Sequence, residues 1–231
     1  MLFIEKYKKN VLTALEVRTQ AKTPKMLGTI IIMAALTIAY LVRCALVRPD
    51  GQPVEFHFVQ EWSPLVAYTF LQFSLASAFA FATYLVLHFA KNPHKLVWLL
   101  LSMALAFLAM DEILEIHEKL GNAFENRHHS TVFRNWNDLI VIIYGVIAAG
   151  FTLWYLPSLI RFRLAFELFC IAGLFYVIHT SIDALVDPAT SVSIILEESN
   201  KAFSSVFLML ASITGFLMTL RNEHQNLQFD D

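Results

Sequence analysis

The sequence predicts an all-α bundle of about six membrane-spanning helices, on three observations. Hydrophobic residues make up 57% of the 231 positions, 20 of them Phe, and charged residues only 16%, where a soluble domain carries about 25%. Mean hydropathy is +0.58. Several apolar runs reach about 20 residues, the length that crosses a hydrocarbon core. Each run must be helical, because lipid offers no hydrogen-bond partner to open backbone.

The spans read as Met26–Leu46, Pro64–Ala90, Lys95–Ile116, Asp138–Leu156, Arg163–Val186 and Ser193–Leu220. They divide the chain into a basic, amphipathic segment over 1–25, a transmembrane domain over 26–220 and a polar tail over 221–231. In the first segment Leu2, Phe3, Ile4, Tyr7, Val11, Leu12 and Leu15 stand among lysines, which fits a helix lying on the membrane surface or a frayed polar tail. The first apolar run is too long for a signal core and reads as a retained anchor. Arg48-Pro49-Asp50-Gly51 signals a turn. The alternation from Val54 to Val59 suggests a short strand or an extended loop. Ser74, Ala78 and Ala82, four residues apart, suggest a face for close helix approach.

Charge sets orientation. Lys6, Lys8, Lys9, Arg18, Lys22, Lys25, Lys91, Lys95, Arg161, Arg163 and Arg221 fall on one side, against Arg43, Arg48, Lys119, Arg127 and Arg134 on the other. That bias favours both termini inside. A net charge of −2 gives no reason to expect nucleic acid. Cys44 and Cys170 lie in different spans and read as small buried hydrophobes, not a disulfide. No Walker, Rossmann or zincin motif occurs, and no repeat.

The chemistry-bearing residues gather at one depth. The third span ends Asp111-Glu112-Ile113-Leu114-Glu115-Ile116-His117-Glu118, the fourth begins near Asn137-Asp138, the fifth carries His179 and Asp183, and the sixth opens with Glu197-Glu198 and Lys201. At the helical rise, Asp111 and His179 each lie about 24 Å from the inner ends of their spans. Asp138 and Lys201 come to about 28 Å, and Glu198 to about 33 Å. Ionisable groups at such depth are costly, roughly 2.5–3.5 kcal/mol at a helix centre, so they must be paired, hydrated or used.

Facing restricts the use. Asp111, Glu115 and Glu118 share a stripe, whereas Glu112 and His117 point about 100° or more away from it. Either the helix unwinds near Ile116 or His117 makes a separate contact. His179 and Asp183 share a face, so Asp183 could orient the imidazole. Glu198 and Lys201 could form a local pair.

Carboxylates with one or two imidazoles suit zinc, iron or manganese. The candidate ligands for such a divalent metal are Asp111, Glu115, His117, His179, Asp183 and Glu198; the candidate catalytic acids or bases are Asp111, Glu112 and Glu118. E-x-x-H occurs once, at Glu125-Asn126-Arg127-His128, and the di-iron bundle signature needs it on two helices, so that signature is incomplete.

The run Asp111-Glu112-x4-His117-Glu118, with the later Glu197-Glu198, resembles an L-D-E-x4-H-E pattern in bacterial polytopic membrane proteins of uncharacterised activity; Met110 stands where Leu is usual. The likeness covers about 20 residues and implies a bacterial inner-membrane location. The histidines and acids are also comparable to those of alkaline-ceramidase-like hydrolases, which place three histidines, a serine and an aspartate around zinc. This chain departs from them where His179-x3-Asp183 stands for a His-x3-His.

Three functions follow as expectations. The first is a metal-dependent, hydrolase-type membrane enzyme acting on a lipid-linked or periplasmic substrate. The second is an accessory or assembly subunit, bound to a partner membrane protein, whose polar cluster is structural. The third is a cation- or proton-coupled transporter.

Overall fold

The structure, a computed structural model, describes residues 2–20, 26–60, 63–125, 136–186 and 190–227. In chain order the elements are α1 (Leu2–Gln20), α2 (Leu27–Leu46), α3 (Phe56–Val59), α4 (Pro64–Phe89), α5 (Lys95–Leu114), α6 (Ile116–Glu125), α7 (Trp136–Leu159), α8 (Arg163–Leu185) and α9 (Ser191–Leu227). No strand occurs among the described residues. Six helices (α2, α4, α5, α7, α8 and α9) are long and apolar enough to cross a membrane. The chain is therefore a multi-pass helical membrane protein.

The bundle is built around α9, the most buried span, which packs against α8 and α4, and α5 packs against α4. Fully buried Trp98 of α5 lies against Gly215 of α9. A Cβ at Gly215 would come within 2.0 Å of the indole, so only glycine admits this ring. Phe175 of α8 stacks on Phe203 and Phe207 of α9. Ser77 and Ser102 exchange hydrogen bonds with each other's carbonyls, at 2.9 and 3.0 Å, and join α4 to α5. The buried hydroxyls of Thr37, Thr83, Thr214 and Thr219 bond carbonyls one turn back, as a dry interior requires.

α2 and α7 sit at the periphery. Ile31, Ile32 and Leu36 of α2, and Val146, Ile147, Leu153 and Trp154 of α7, are exposed, the surface lipid would cover. α7 is the least covered span.

Local signals explain the ends. Ser63 caps α4, accepting from Val66 N–H at 3.2 Å, with Pro64 at the first helical position. Pro157 lies in the last turns of α7. It has no N–H to give Leu153 one turn earlier, and the Leu153 carbonyl instead accepts from the Tyr7 hydroxyl of α1. The basic segment is thus a helix, and this bond ties it to the end of α7 that lies away from the ionisable cluster.

Four expectations are corrected. Val54 to Val59 holds a helical turn, with Phe56 and Phe58 N–H bonding carbonyls three residues back. A lone extended segment has no neighbour strand to pair with, whereas a turn satisfies itself. The buried face of α4 is Thr69, Gln72, Ala76, Ala80 and Thr83, and Ala78 faces outward. Both faces offer small residues, but only the buried one carries Gln72 and Thr83, which lipid would reject. Cys170 is exposed, while Cys44 is buried as expected; neither is in a disulfide. Finally, α9 continues to Leu227, through most of the expected polar tail.

Candidate functional site

The third span does unwind at the foreseen place. Glu115 takes the left-handed conformation, φ 51° and ψ 45°, between α5 and α6. For a residue with a Cβ this costs about 1–2 kcal/mol. The turn folds His117 back onto Asp111. His117 donates its backbone N–H to Oδ1 at 2.9 Å and its Nδ1–H to Oδ2 at 2.8 Å. A carboxylate can only accept, so the ring proton sits on Nδ1, and in the neutral ring Nε2 keeps its lone pair. Nε2 is 4.0 Å from Glu118 Oε1. Burial pushes the His117 imidazole down, but the hydrogen bond and charge of Asp111, with Glu118, outweigh it and hold its pKa above the ordinary value.

A second unit spans α4, α5 and α9. Lys201 Nζ lies 2.8 Å from Glu198 Oε2 and 3.3 Å from Glu112 Oε1, so one ammonium bridges two carboxylates. Thr69 donates to Glu112 Oε1 at 2.6 Å. The local Glu198–Lys201 pair is present, enlarged by Glu112. A third unit joins α8 to α9. His179 Nδ1 donates to the Glu197 carbonyl at 3.2 Å, and Glu197 Oε1 lies 3.9 Å away. The hydrogen-bond partner of His179 Nδ1 is thus Glu197, not the Asp183 one turn along its own helix.

All three units face one cavity of about 230 Å³. It brings together Asp111, Glu112, His117, Glu118, His179, Asp183 and Glu198, with Glu197 and Lys201. Glu115 does not line it: its carboxylate lies 3.8 Å from Lys119. His128 and His129 and the side chain of Asp138 lie outside the described residues. At the opposite end of the bundle His94 bonds Ser158 at 2.9 Å. Burial, then the charge of Arg161, pushes His94 down.

The cavity also holds residues that sequence reasoning passed over. Tyr144, Tyr176 and Ser204 line it beneath the charged groups, and Thr69 supports Glu112 from behind. Tyr176 lies one turn before His179 on the same face, so helical spacing could have found it. Tyr176 donates its hydroxyl to the Val141 carbonyl at 2.8 Å, holding α7 to α8.

Among the described residues, no group of three His, Cys, Asp or Glu is arranged to hold a metal ion. Of the expected ligands, Asp111 is engaged with His117, Glu198 with Lys201, and Glu115 lies away from the rest.

Fold and cavity together define a multi-pass helical membrane protein with an acid–histidine chamber near one end of the bundle. The chain belongs to the family described as Domain of unknown function (DUF8692), whose model matches residues 29–214. No curated protein and no solved structure matches it.

Proposed function

We propose that the protein is a membrane-embedded hydrolase in which His117, oriented by Asp111, is the general base. The observation that carries this reading is the two-point hold of Asp111 on His117. It fixes the ring and directs the lone pair of Nε2 away from the carboxylate, the base–orienter arrangement of hydrolytic sites. His117 Nε2 takes the proton of the water whose oxygen bonds the acyl or phosphoryl centre, and that proton ends on the leaving group as its bond to that centre breaks. Glu118, beside Nε2 and half exposed, is placed to pass that proton on. Glu112 is already committed to Thr69 and Lys201, so its part is to hold the ammonium in the wall.

The substrate is a lipid-linked or periplasmic molecule. The Lys and Arg distribution supports a cavity facing away from the cytoplasm, with both termini inside. The resemblance over Asp111-Glu112-x4-His117-Glu118 supports a bacterial inner membrane.

The test is turnover of amphiphilic ester and phosphoester probes by the protein in nanodiscs. His117→Gln and Asp111→Asn should each lower kcat by about 100-fold or more. Undiminished turnover in His117→Gln would overturn the reading.

One observation favours a rival, an accessory subunit with a structural cluster: Lys201, paired with Glu198 on its own helix, ties α9 to α5 through Glu112. Turnover by the purified chain alone separates the two. A cation- or proton-coupled carrier has less support. On the cavity-distal side the interior hydroxyls of Ser77, Ser102 and Thr83 already bond carbonyls.

A further inference from the structure

The end of the bundle away from the cavity holds a cation that the fold leaves without a partner. Arg161 stands in the connection from α7 to α8, between the span that ends at Leu159 and the span that begins at Arg163. That connection is fastened to the start of α5 at two points. Ser158 and the His94 ring are hydrogen-bonded at 2.9 Å, and Phe162 packs edge-on against Trp98, with centroids 5.0 Å apart and planes at 84°. Leu159, Ile160 and Phe162 are buried. The main chain on both sides of Arg161 is thus anchored, and the residue is held at this level.

Its side chain is not anchored. Arg161 is half-buried, and its Nε is closed off from solvent without a hydrogen-bond acceptor. Among the described residues none forms an ion pair or hydrogen bond with the guanidinium. Its neighbour Arg163 differs, since Nε there lies 3.1 Å from Glu167 Oε1. A buried donor with no acceptor is an exception in native proteins, and an acceptor from outside the chain accounts for it.

The surroundings indicate which acceptor. A water would satisfy Nε but leave the charge unpaired. A guanidinium offers Nε–H and an Nη–H side by side, a fork that matches two oxygens of a phosphate. No bond holds the group where it is, so a small turn of the side chain opens Nε to such a ligand. The level is that of lipid headgroups, because two spans end there. Leu153 and Trp154, in the last turns of α7, are exposed and offer a surface for acyl chains. This end also carries the larger share of Lys and Arg, among them exposed Lys6, Lys8 and Lys9 of α1, so anionic lipid gathers at it. A free phosphate has the same oxygens but nothing to hold against Leu153 and Trp154.

We propose that Arg161 is the centre of a binding site for an anionic phospholipid of the surrounding leaflet. The guanidinium takes two oxygens of the lipid phosphate, and the acyl chains run along the exposed end of α7 past Trp154 and Leu153. The site lies at the opposite end of the bundle from the cavity and does not depend on the hydrolase reading.

The experiment is lipid titration of the full-length protein in detergent, with bound lipid read by native mass spectrometry. The probes are phosphatidylglycerol, phosphatidylcholine with the same acyl chains, and inorganic phosphate. Wild type should bind phosphatidylglycerol more tightly than phosphatidylcholine, and Arg161→Gln should weaken phosphatidylglycerol by about tenfold. Lys9→Gln removes the same charge from the exposed face of α1 and should bind as wild type does. Arg161→Lys keeps the charge without the fork and should fall between wild type and Arg161→Gln. If Arg161→Gln does not fold, Arg161→Lys is compared with Lys9→Gln, and binding weaker than in that control supports the site. Equal losses in the Arg161 and Lys9 variants would mean diffuse attraction to a basic surface and overturn the proposal. Equal affinity for the two lipids would do so too, as would displacement of phosphatidylglycerol by inorganic phosphate at equal concentration. His117→Gln should bind phosphatidylglycerol as wild type does, so this result and the turnover assay fail or succeed separately.

Discussion

His117 stands six residues beyond Asp111 yet binds both of its carboxylate oxygens, one through the main chain and one through the ring. An unbroken helix would turn the two side chains away from each other. The left-handed Glu115 between them makes the contact geometrically available.

If Glu115 carries that strain, glycine should relieve it. Glu115→Gly is expected to stabilise the protein by about 0.5–1 kcal/mol, the left-handed cost less the extra chain entropy of glycine. Glu115→Val should lose about 1 kcal/mol or more, since a β-branched residue fits that region worst. The lost contact with exposed Lys119 matters little by comparison. Thermal unfolding in detergent reads both changes, and stabilisation by Val would refute the account.

The pH dependence follows from His117. Its pKa is raised above the ordinary 6.5: burial opposes this, and Asp111 and Glu118 prevail. Its share of stability is therefore complete below about pH 6.5 and disappears as pH rises through the folded value. The melting-temperature gap between wild type and His117→Gln should be wide at pH 5.5 and close by pH 9. His94, pushed down, acts in the opposite sense, and taking the difference between the two proteins removes it. Hydrolysis should show the complementary profile, rising with pH as Nε2 is freed to act as base. A gap that widens with pH would contradict the pairing.

Metal content provides an independent check. With Asp111 and Glu198 engaged elsewhere and Glu115 outside the cavity, purified protein should hold well under one equivalent of zinc, iron or manganese by mass spectrometry. His179→Ala should not change that figure. One equivalent in wild type, lost in the variant, would bear out the metal centre expected from the sequence.

The spans and the level of the cluster were legible in the sequence because both depend on one-dimensional quantities, apolar run length and rise per residue. Asp111, His179 and Lys201 converge as that ruler implied. What the ruler could not give was which groups pair. Glu115 shares a helical stripe with Asp111, and only the break between α5 and α6 sends it outside. His179 has an acid one turn away on its own helix, yet Nδ1 bonds the Glu197 carbonyl of a neighbour, a contact fixed by packing of α8 on α9. Thr69 escaped notice because a hydroxyl in a span usually bonds its own helix; this one does that and also reaches Glu112.

At the other end of the bundle, Tyr7 and Pro157 make a paired prediction. Tyr7→Phe removes the donor that satisfies the Leu153 carbonyl freed by Pro157. An unsatisfied carbonyl costs about 1–3 kcal/mol. The loss should appear as release of α1, read as faster proteolytic clipping of residues 2–20 with the spans intact. Adding Pro157→Ala returns a helical N–H to Leu153 and should recover part of the stability, though not the docking of α1. Unchanged clipping in Tyr7→Phe would mean that Ala14, fully buried in α1, holds the helix without it.

Lys201 separates a structural cluster from a working one. Lys201→Met leaves Glu112 and Glu198 facing each other without their cation, and breaking a buried pair on one side costs about 3–5 kcal/mol. Most of that cost is the two stranded charges, so adding Glu112→Gln and Glu198→Gln to Lys201→Met should recover most of it. The neutral triple variant thus keeps the fold while removing the charges. A purely structural cluster predicts that this variant behaves as wild type in every assay. The hydrolase reading predicts that it unfolds near the wild-type temperature, keeps the Asp111–His117 pair and its pH signature, and loses turnover by about tenfold or more, because the wall opposite His117 no longer carries the ammonium. Unfolding midpoint and kcat measured together on the same preparation decide between them.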